Sequence, residues 1–449
     1  MDFFREIWYT SFTRKNKSER MVQMMRKTEN LIIGAGISGL SFAASSKDYL
    51  IAERESEAGG YCRTIRRGDF VWDFAGHFFH FKTERLKKKF IDSVPSDEFV
   101  DRVKKTYIYY KDKLIDYPFQ TNIHELDKDE FIDCLYDLFN KEEKESYDNF
   151  LDMLYGKFGR SITEKFLKPY NEKLYAVDLA KLDKDAMGRF FPYADVKAII
   201  SNMKEQKNAS YNSTFLYPRR GAELIIDILK GDVDSDKLLL DTTVTSIDLD
   251  SHVAALSNGD TVEYGNLINT APFNVFLRLT GDARCRELSE KLTYNKVLVF
   301  NLGFNKKSPY DSQHWLYFPD KSFNFYRVGF YDNILGADRL SMYIEIGYPK
   351  DADVTDADID EQLRLTLENL ARAGIIDDSF VLEEHMSILM DPAYVHIDAE
   401  HDREVREIME ELKGRGVYSI GRYGAWTYCS MEDCMLEAEQ LSEKLRAEK

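Results

Sequence analysis

At 449 residues the chain exceeds what one hydrophobic core serves, so two or three subdomains are expected. A hydrophobic fraction of 44% and an aromatic fraction of 13% can fill such cores, while a net charge of −17 excludes a general nucleic-acid binder, which needs a basic surface. The five cysteines (Cys62, Cys134, Cys285, Cys429, Cys434) form no CxxC pair and no apolar run reaches about 18 residues, which argues against a zinc or disulfide framework and a transmembrane helix and fits a reducing cytoplasm.

Residues 1 to 28 precede the first expected strand and carry seven Lys or Arg against three Asp or Glu. Phe3, Phe4, Ile7, Trp8 and Phe12 fall at helical spacing, the pattern of a membrane-surface helix. A plain tail, or a translation start at Met21, Met24 or Met25, is the simpler account. The stretch lacks the charged, apolar and cleavage regions of a signal peptide.

The segment Glu29–Leu40 reads as a buried strand, a glycine turn and a helix start. Gly34 allows the tight turn, Gly36 lets a pyrophosphate approach the backbone, and Gly39 lets the helix pack on the strand. The helix start, with Ser38, offers free N–H groups and a positive dipole end to phosphates. A second apolar run, Tyr49–Ala52, ends in Glu53, about 20 residues past the first glycine, where a carboxylate holds a ribose hydroxyl. Gly59 and Gly60 then let the chain turn back under a dinucleotide.

Next comes a strand around Val71 to Phe74, then Gly76-His77-Phe-Phe-His80; His77 can face a cofactor, and His80 reads as a core hydrogen bonder. Residues 105 to 117 form a hairpin turning at Lys111 to Lys113 and run into Pro118-Phe119-Gln120. From Asp127 to about Leu182 the periodicity is helical, an insertion into the dinucleotide fold. Residues 204 to 214 are polar and read as a loop, and Ala222 to Leu229 as a helix. Lys237 to Leu249 reads as one strand, followed by a hairpin at Asn258-Gly259-Asp260 and a last strand at Leu267 to Pro272. Lys296 to Phe304, Trp315 to Phe318, Phe323 to Tyr331 and Ser341 to Gly347 alternate as strands of an antiparallel sheet. Helices are expected at Gln362 to Ala373, Asp402 to Leu412 and Met431 to Leu445, a turn at Asp391-Pro392-Ala-Tyr394, and a short strand at Gly416 to Arg422.

Taken together, the ordered segments GAGISGL, Glu53 to Gly60, GHFFH, YPFQTN, KPYNEKLYAV, YNSTFLYP, WLYFPDKSFNFYR and GRYGAWTYCSMED resemble the UDP-galactopyranose mutase family from about residue 29 to 445, with features of its eukaryotic-type branch. The resemblance implies an α/β fold: a Rossmann-like FAD-binding domain with an inserted helical domain and an antiparallel β-sheet substrate domain. The implied division is an extension (1–28), FAD-binding parts at 29–98, 216–272 and 414–449, a sheet-domain segment at 99–124, a helical domain at 125–195, a substrate loop at 196–215 and a sheet substrate domain at 273–413.

It also implies an isomerase that uses reduced FAD. In that family the flavin N5 is implied to take the sugar's anomeric carbon and expel UDP. The sugar recloses as a five-membered ring, with no net redox change. Arg189 and Arg327 are the implied diphosphate arginines, and His77 the histidine beside the flavin. Asn212, Tyr317 and Tyr428 would donate to phosphate oxygens. Tyr117, Phe119 and Gln120 match the uridine segment, and Trp315 the sugar. Gly34, Gly36, Ser38, Gly39, Glu53, Gly59, Gly60, Val244, Gly421, Arg422 and Met431 are the implied cofactor residues. The family's tyrosine before a proline near 391 is replaced by Asp391-Pro392, and Tyr394 keeps a tyrosine in another register. A carboxylate beside a diphosphate repels it unless it turns away, so other UDP or deoxythymidine-linked sugars stay open.

The expected partner is a nucleotide sugar feeding a surface glycan, with no nucleic acid and no metal. A homo-oligomer and a reductant (NADPH, NADH or a reductase) are left open. The rival is a FAD-dependent oxidoreductase of the amine oxidase or protoporphyrinogen oxidase type.

Overall fold

Leu31, Ile32 and Ile33 are buried on both faces of a sheet, the pattern of a central parallel strand. In the computed structural model, which describes residues 24–204 and 213–448, this strand runs Met25–Ile33 and pairs in parallel with Tyr49–Ala52 and Thr261–Asn269. It starts earlier than its apolar run. Met25 to Thr28 pair with Thr261 to Tyr264, and Arg26 bonds Asp260 at 3.0 Å. Residues 25–28 thus belong to the strand rather than to a tail ahead of it. The helical pattern of Phe3 to Phe12 lies outside the described residues.

Around this strand stands a seven-stranded sheet. Its order is Val244–Asp248, Val253–Leu256, Thr261–Asn269, Met25–Ile33, Tyr49–Ala52 and Leu238–Leu239, with Val417–Ser419 also on Thr261–Asn269. The expected single strand from Lys237 to Leu249 is therefore two strands on opposite edges. Asp241, at φ +50°, turns the chain between them. On that path Glu53 donates its N–H to Leu239 at 2.8 Å and accepts from Thr242 N–H at 2.8 Å.

A second seven-stranded sheet is mostly antiparallel, in the order Leu382–Val395, Tyr294–Phe304, Ser341–Pro349, Arg327–Phe330, Trp315–Tyr317, Thr106–Tyr110, Lys113–Asp116. The last two form the expected hairpin, with Lys111 and Asp112 at φ +49° and +61°, as a two-residue hairpin turn requires. Two expectations fail here. Phe323 to Tyr331 is a strand only over Arg327–Phe330, and Tyr331–Leu335 turns helical. Asp391-Pro392 is not a turn but lies inside the strand Leu382–Val395. Proline lacks a ladder N–H, so the strand bulges there: Tyr394 pairs with Asn295 and Met390 with Val297.

Between the hairpin and the second sheet's longer strands the chain inserts helices Lys128–Phe139, Phe150–Ile162 and Lys168–Tyr175. The last of these is tied to the sheet by Lys173. Its ammonium donates to the carbonyls of Phe318 (2.8 Å), Asp320 (3.0 Å) and Phe325 (2.5 Å), one for each N–H. Those carbonyls lie in the turn that joins the strand of Trp315 and Tyr317 to that of Arg327. No described helix is long and apolar enough to cross a membrane.

Candidate functional site

The helix Ile37–Ala44 begins at Gly36 with no side-chain cap and no acidic residue in its first turn, so its leading N–H groups face outward for an anion. A Cβ at Gly36 would meet nothing within 4 Å, so the space over the turn is open. At Gly39 a Cβ would lie 2.0 Å from the Gly34 carbonyl oxygen, so only glycine lets the helix sit this close. Glu53 is buried, its oxygens accepting Ala35 N–H at 2.6 Å and Glu55 N–H at 2.9 Å. A carboxylate has about four acceptor positions, so two remain for ribose hydroxyls. Gly59 N–H donates to Ala35 at 2.9 Å and brings Gly60 under the turn. Thr242, bonded to Glu53, sets Val244 beside it. Gly421, at φ +77°, closes on Ser38: a Cβ there would lie 2.2 Å from the Ser38 Oγ. Met431 opens the closing helix, Met431–Ala447, with its Sδ 3.8 Å from Cys62 Sγ. Gly34, Gly36, Ser38, Gly39, Glu53, Gly59, Gly60, Gly421 and Met431 thus gather at this end of the first sheet, Val244 starts the strand two residues past Thr242, and Arg422 reaches toward the rings of the opposite wall.

The second sheet supplies the other wall. Register places Tyr317, Arg327 and Glu345 in one cross-strand row. Arg327 Nη2 donates to Glu345 Oε1 at 2.6 Å, and Tyr326 hydroxyl to Glu345 Oε2 at 2.5 Å. The Arg327 Nε is buried and has no partner among the described residues. Trp315 Nε1 donates to Tyr317 hydroxyl at 3.0 Å, and the Tyr117 ring tilts on Tyr317 at 5.1 Å. Lys104 Nζ sits over the Tyr117 and Trp315 rings at 5.2 and 5.7 Å. Arg422 stacks over Tyr394 and Tyr428 at 5.1 and 4.5 Å, and those two rings stack at 5.9 Å.

His77 lies where the two walls meet. Its Nδ1 bonds the Ala75 carbonyl at 2.9 Å. A carbonyl can only accept, so Nδ1 carries the hydrogen and Nε2 the lone pair. Burial, aided by the positive fields of Arg422 and Arg327, lowers His77 to about 4. Its C2 proton resonance is therefore expected to titrate near that value by NMR; a midpoint near the ordinary ~6.5 would contradict a buried, neutral imidazole. Because the folded value is depressed, the neutral ring stabilises the fold above about 6.5. That contribution is lost as pH falls toward about 4.

Other expected residues are placed differently. Phe119 is fully buried, stacked on Phe166 at 5.1 Å, so its ring backs the pocket rather than presenting a face. Gln120 donates Nε2 to Pro192 at 2.5 Å while its buried Oε1 has no partner among the described residues. Arg189 stands half-exposed in the turn Gly188–Phe190 and pairs with Asp433 of the closing helix. Its neighbour Phe190 meets Tyr428 edge-on at 4.8 Å. Asn212 lies outside the described residues. Asp391 turns away: its carboxylate is exposed, 3.3 Å from Lys296, and its N–H donates to Tyr61 hydroxyl at 2.9 Å. Tyr394 instead lies stacked on Tyr428 beneath Arg422. His80 bonds the Thr214 carbonyl at 2.8 Å, the hydrogen-bonding role expected of it, but at a partly exposed position rather than in the core.

Several residues packed around this wall were not singled out from sequence. Tyr170 edges onto Tyr317 at 5.0 Å. Asn171 and Tyr175, four apart on one helix face, have a buried Oδ1 and hydroxyl without partners among the described residues. Tyr343 packs against Gly76, where a Cβ would lie 2.5 Å from its hydroxyl. The signal for Glu345 was present: a carboxylate inside the apolar strand Ser341–Pro349 needs a buried cation.

The family model described as flavin containing amine oxidoreductase matches residues 37–440. The chain belongs to that family. Its cofactor is FAD, and the glycine turn, Glu53 and Gly421 fit such a dinucleotide. The fold also matches solved structures. One is a reduced UDP-galactopyranose mutase: TM-score 0.87, 24% identity, 94% of each chain covered. Another is a putative protoporphyrinogen oxidase from Exiguobacterium sp. 255-15: TM-score 0.72, 16% identity, 94% of this chain and 99% of that one. A third is a CLA-producing fatty acid isomerase from P. acnes: TM-score 0.64, 14% identity, 93% and 98% covered.

Proposed function

We propose that the chain is a flavin-dependent mutase, an isomerase that interconverts UDP-galactopyranose and UDP-galactofuranose or a close sugar nucleotide. The observation that carries this reading is the buried Arg327 Nε, unpartnered among the described residues and surrounded by the rings of Tyr317, Tyr326 and Tyr343. A buried guanidinium with an open donor suits a phosphate oxygen. Arg422, partly buried beside the Arg327–Glu345 pair, leaves a positive charge here that would repel a cationic amine. The oxidoreductase alternative draws support from the family model itself and from the oxidase-like fold matches.

Reduced FAD would supply the nucleophile for the anomeric carbon. Everything else falls to side chains. Glu345 holds one end of Arg327 so that Nε and the remaining N–H groups aim at the diphosphate. Tyr317, Tyr394 and Tyr428 add hydroxyl donors, and Arg189 approaches from the pocket mouth. These groups stabilise the charge that UDP carries as it leaves. Tyr117 and Gln120 would hold the base, joined by Asn171. Trp315 would bound the sugar. His77, neutral, presents a lone pair beside the cofactor rather than a charge. In this proposal the first sheet is the FAD-binding unit and the second the substrate domain, and the product would feed a surface glycan from the cytoplasm.

Two measurements test this. UDP should bind the FAD-loaded protein and shift its flavin spectrum, while putrescine should leave the oxidised flavin unbleached under nitrogen. Bleaching by the amine would favour the oxidoreductase. Asp391→Asn should keep kcat/KM within about twofold, because a surface group remote from the ligand contributes little. A rise of about tenfold or more would mean that its charge does oppose the diphosphate.

A further inference from the structure

Four sulfur atoms meet where the closing helix reaches the cofactor turn. Cys429 and Cys434 have their Sγ atoms 3.4 Å apart, and Cys62 Sγ lies 3.8 Å from Met431 Sδ. The first pair has a local cause. Ser430 caps the helix that starts at Met431, so Cys429 precedes the cap and Cys434 is the fourth helical residue. Side chains at those two positions pack together across a helix start, usually as apolar residues. Here both are thiols, and neither is in a disulfide.

Their surroundings favour a thiolate at Cys434. It lies near the positive end of the helix. The two sulfurs share one S–H···S contact, and with Arg422 nearby this contact favours the proton on Cys429, holding Cys434 below the ordinary thiol range and Cys429 above it. Arg422 lies alongside, its Nη1 donating to the Cys429 carbonyl at 3.4 Å. Cys434 is buried and fixed in the helix, whereas Cys429 is only partly buried and precedes it.

We propose that Cys429 and Cys434 form a redox modification site, a dithiol that closes to a disulfide when a peroxide reaches it. The Cys434 thiolate attacks one oxygen of hydrogen peroxide. The O–O bond breaks, and the departing hydroxide takes a proton and leaves as water. Cys429 sulfur then attacks the Cys434 sulfenic acid; the S–O bond breaks, and the hydroxyl leaves with the Cys429 proton as a second water. Two thiols lose two electrons and the peroxide gains them. Bound FAD, once reduced, would supply peroxide by giving two electrons to dioxygen, so this oxidant class is one the holoprotein would itself meet. Forming the bond draws the sulfurs from 3.4 Å to about 2.05 Å. Cys429 moves most, carrying Tyr428 and the carbonyl that anchors Arg422. The disulfide thereby disturbs the Arg422–Tyr394–Tyr428 stack.

The test uses FAD-loaded protein treated with hydrogen peroxide. After the treated protein is denatured, titratable thiols should have fallen from five to three. The peptide spanning Cys429 and Cys434 should become lighter by two hydrogens, and dithiothreitol should reverse both changes. UDP affinity should drop about tenfold and recover on reduction. Cys429→Ser and Cys434→Ser should each abolish the two-hydrogen loss and keep UDP affinity through the treatment. An unchanged thiol count, a two-hydrogen loss mapped to Cys62, or serine variants that respond like the wild type would overturn the proposal. If UDP does not bind at all, the mutase reading fails, while the thiol count and the peptide mass still decide this one.

Discussion

Arg327→Ala is expected to lose turnover by roughly a hundredfold to ten-thousandfold while the protein stays yellow. Two charged hydrogen bonds to a diphosphate contribute about 1.5–3 kcal/mol each, and the range follows from their sum. FAD should remain because the residues proposed to hold it, around Gly36, Glu53 and Gly421, stand on the other sheet. The substitution has a second effect. Glu345, about 1% exposed, would lose its cation. Breaking a buried pair costs ~3–5 kcal/mol, so the single variant also melts earlier. Arg327→Ala combined with Glu345→Gln removes that penalty, since the new amide leaves no charge stranded. The double variant should regain stability and stay inactive. Turnover that returns with stability would show Arg327 to be a structural residue.

Gly39→Val should give a colourless protein. The added Cβ would stand 2.0 Å from the Gly34 carbonyl oxygen, a backbone atom that cannot swing aside. The helix must then move off the strand and the phosphate cradle opens. The ratio of flavin to protein absorbance after purification measures this directly. Gly231→Ala, at a glycine with open space, is the matched control and should stay yellow. A yellow Gly39→Val protein with normal FAD content would remove the glycine turn from the cofactor site.

The cofactor half is legible in the sequence because its signals are local. A glycine turn, a carboxylate about 20 residues on and a second glycine pair each act through their own backbone. The substrate half is legible only in part. Tyr317, Arg327 and Glu345 meet through register between three strands, and no spacing along the chain encodes that row. Tyr170, Asn171 and Tyr175 sit in a recognisable motif, but their roles follow from the partners that helix Lys168–Tyr175 faces. The split of the 237–249 run has the same origin. Apolarity marks a strand without saying which sheet edge it joins. Pro392 reads as a turn because the bulge that admits it depends on the partner strand. The pairing of Arg189 is similar: its partner Asp433 lies 244 residues on.

The central claim is that the second sheet turns an amine-oxidoreductase fold toward a nucleotide sugar. Dithionite-reduced protein incubated under nitrogen with UDP-galactofuranose, with products separated by chromatography, tests it most directly. The account predicts conversion to UDP-galactopyranose that requires reduced flavin and fails with Arg327→Ala. A yellow, reducible protein that converts neither this nor any related nucleotide sugar, yet passes electrons from an amine or porphyrinogen to its flavin, would contradict it.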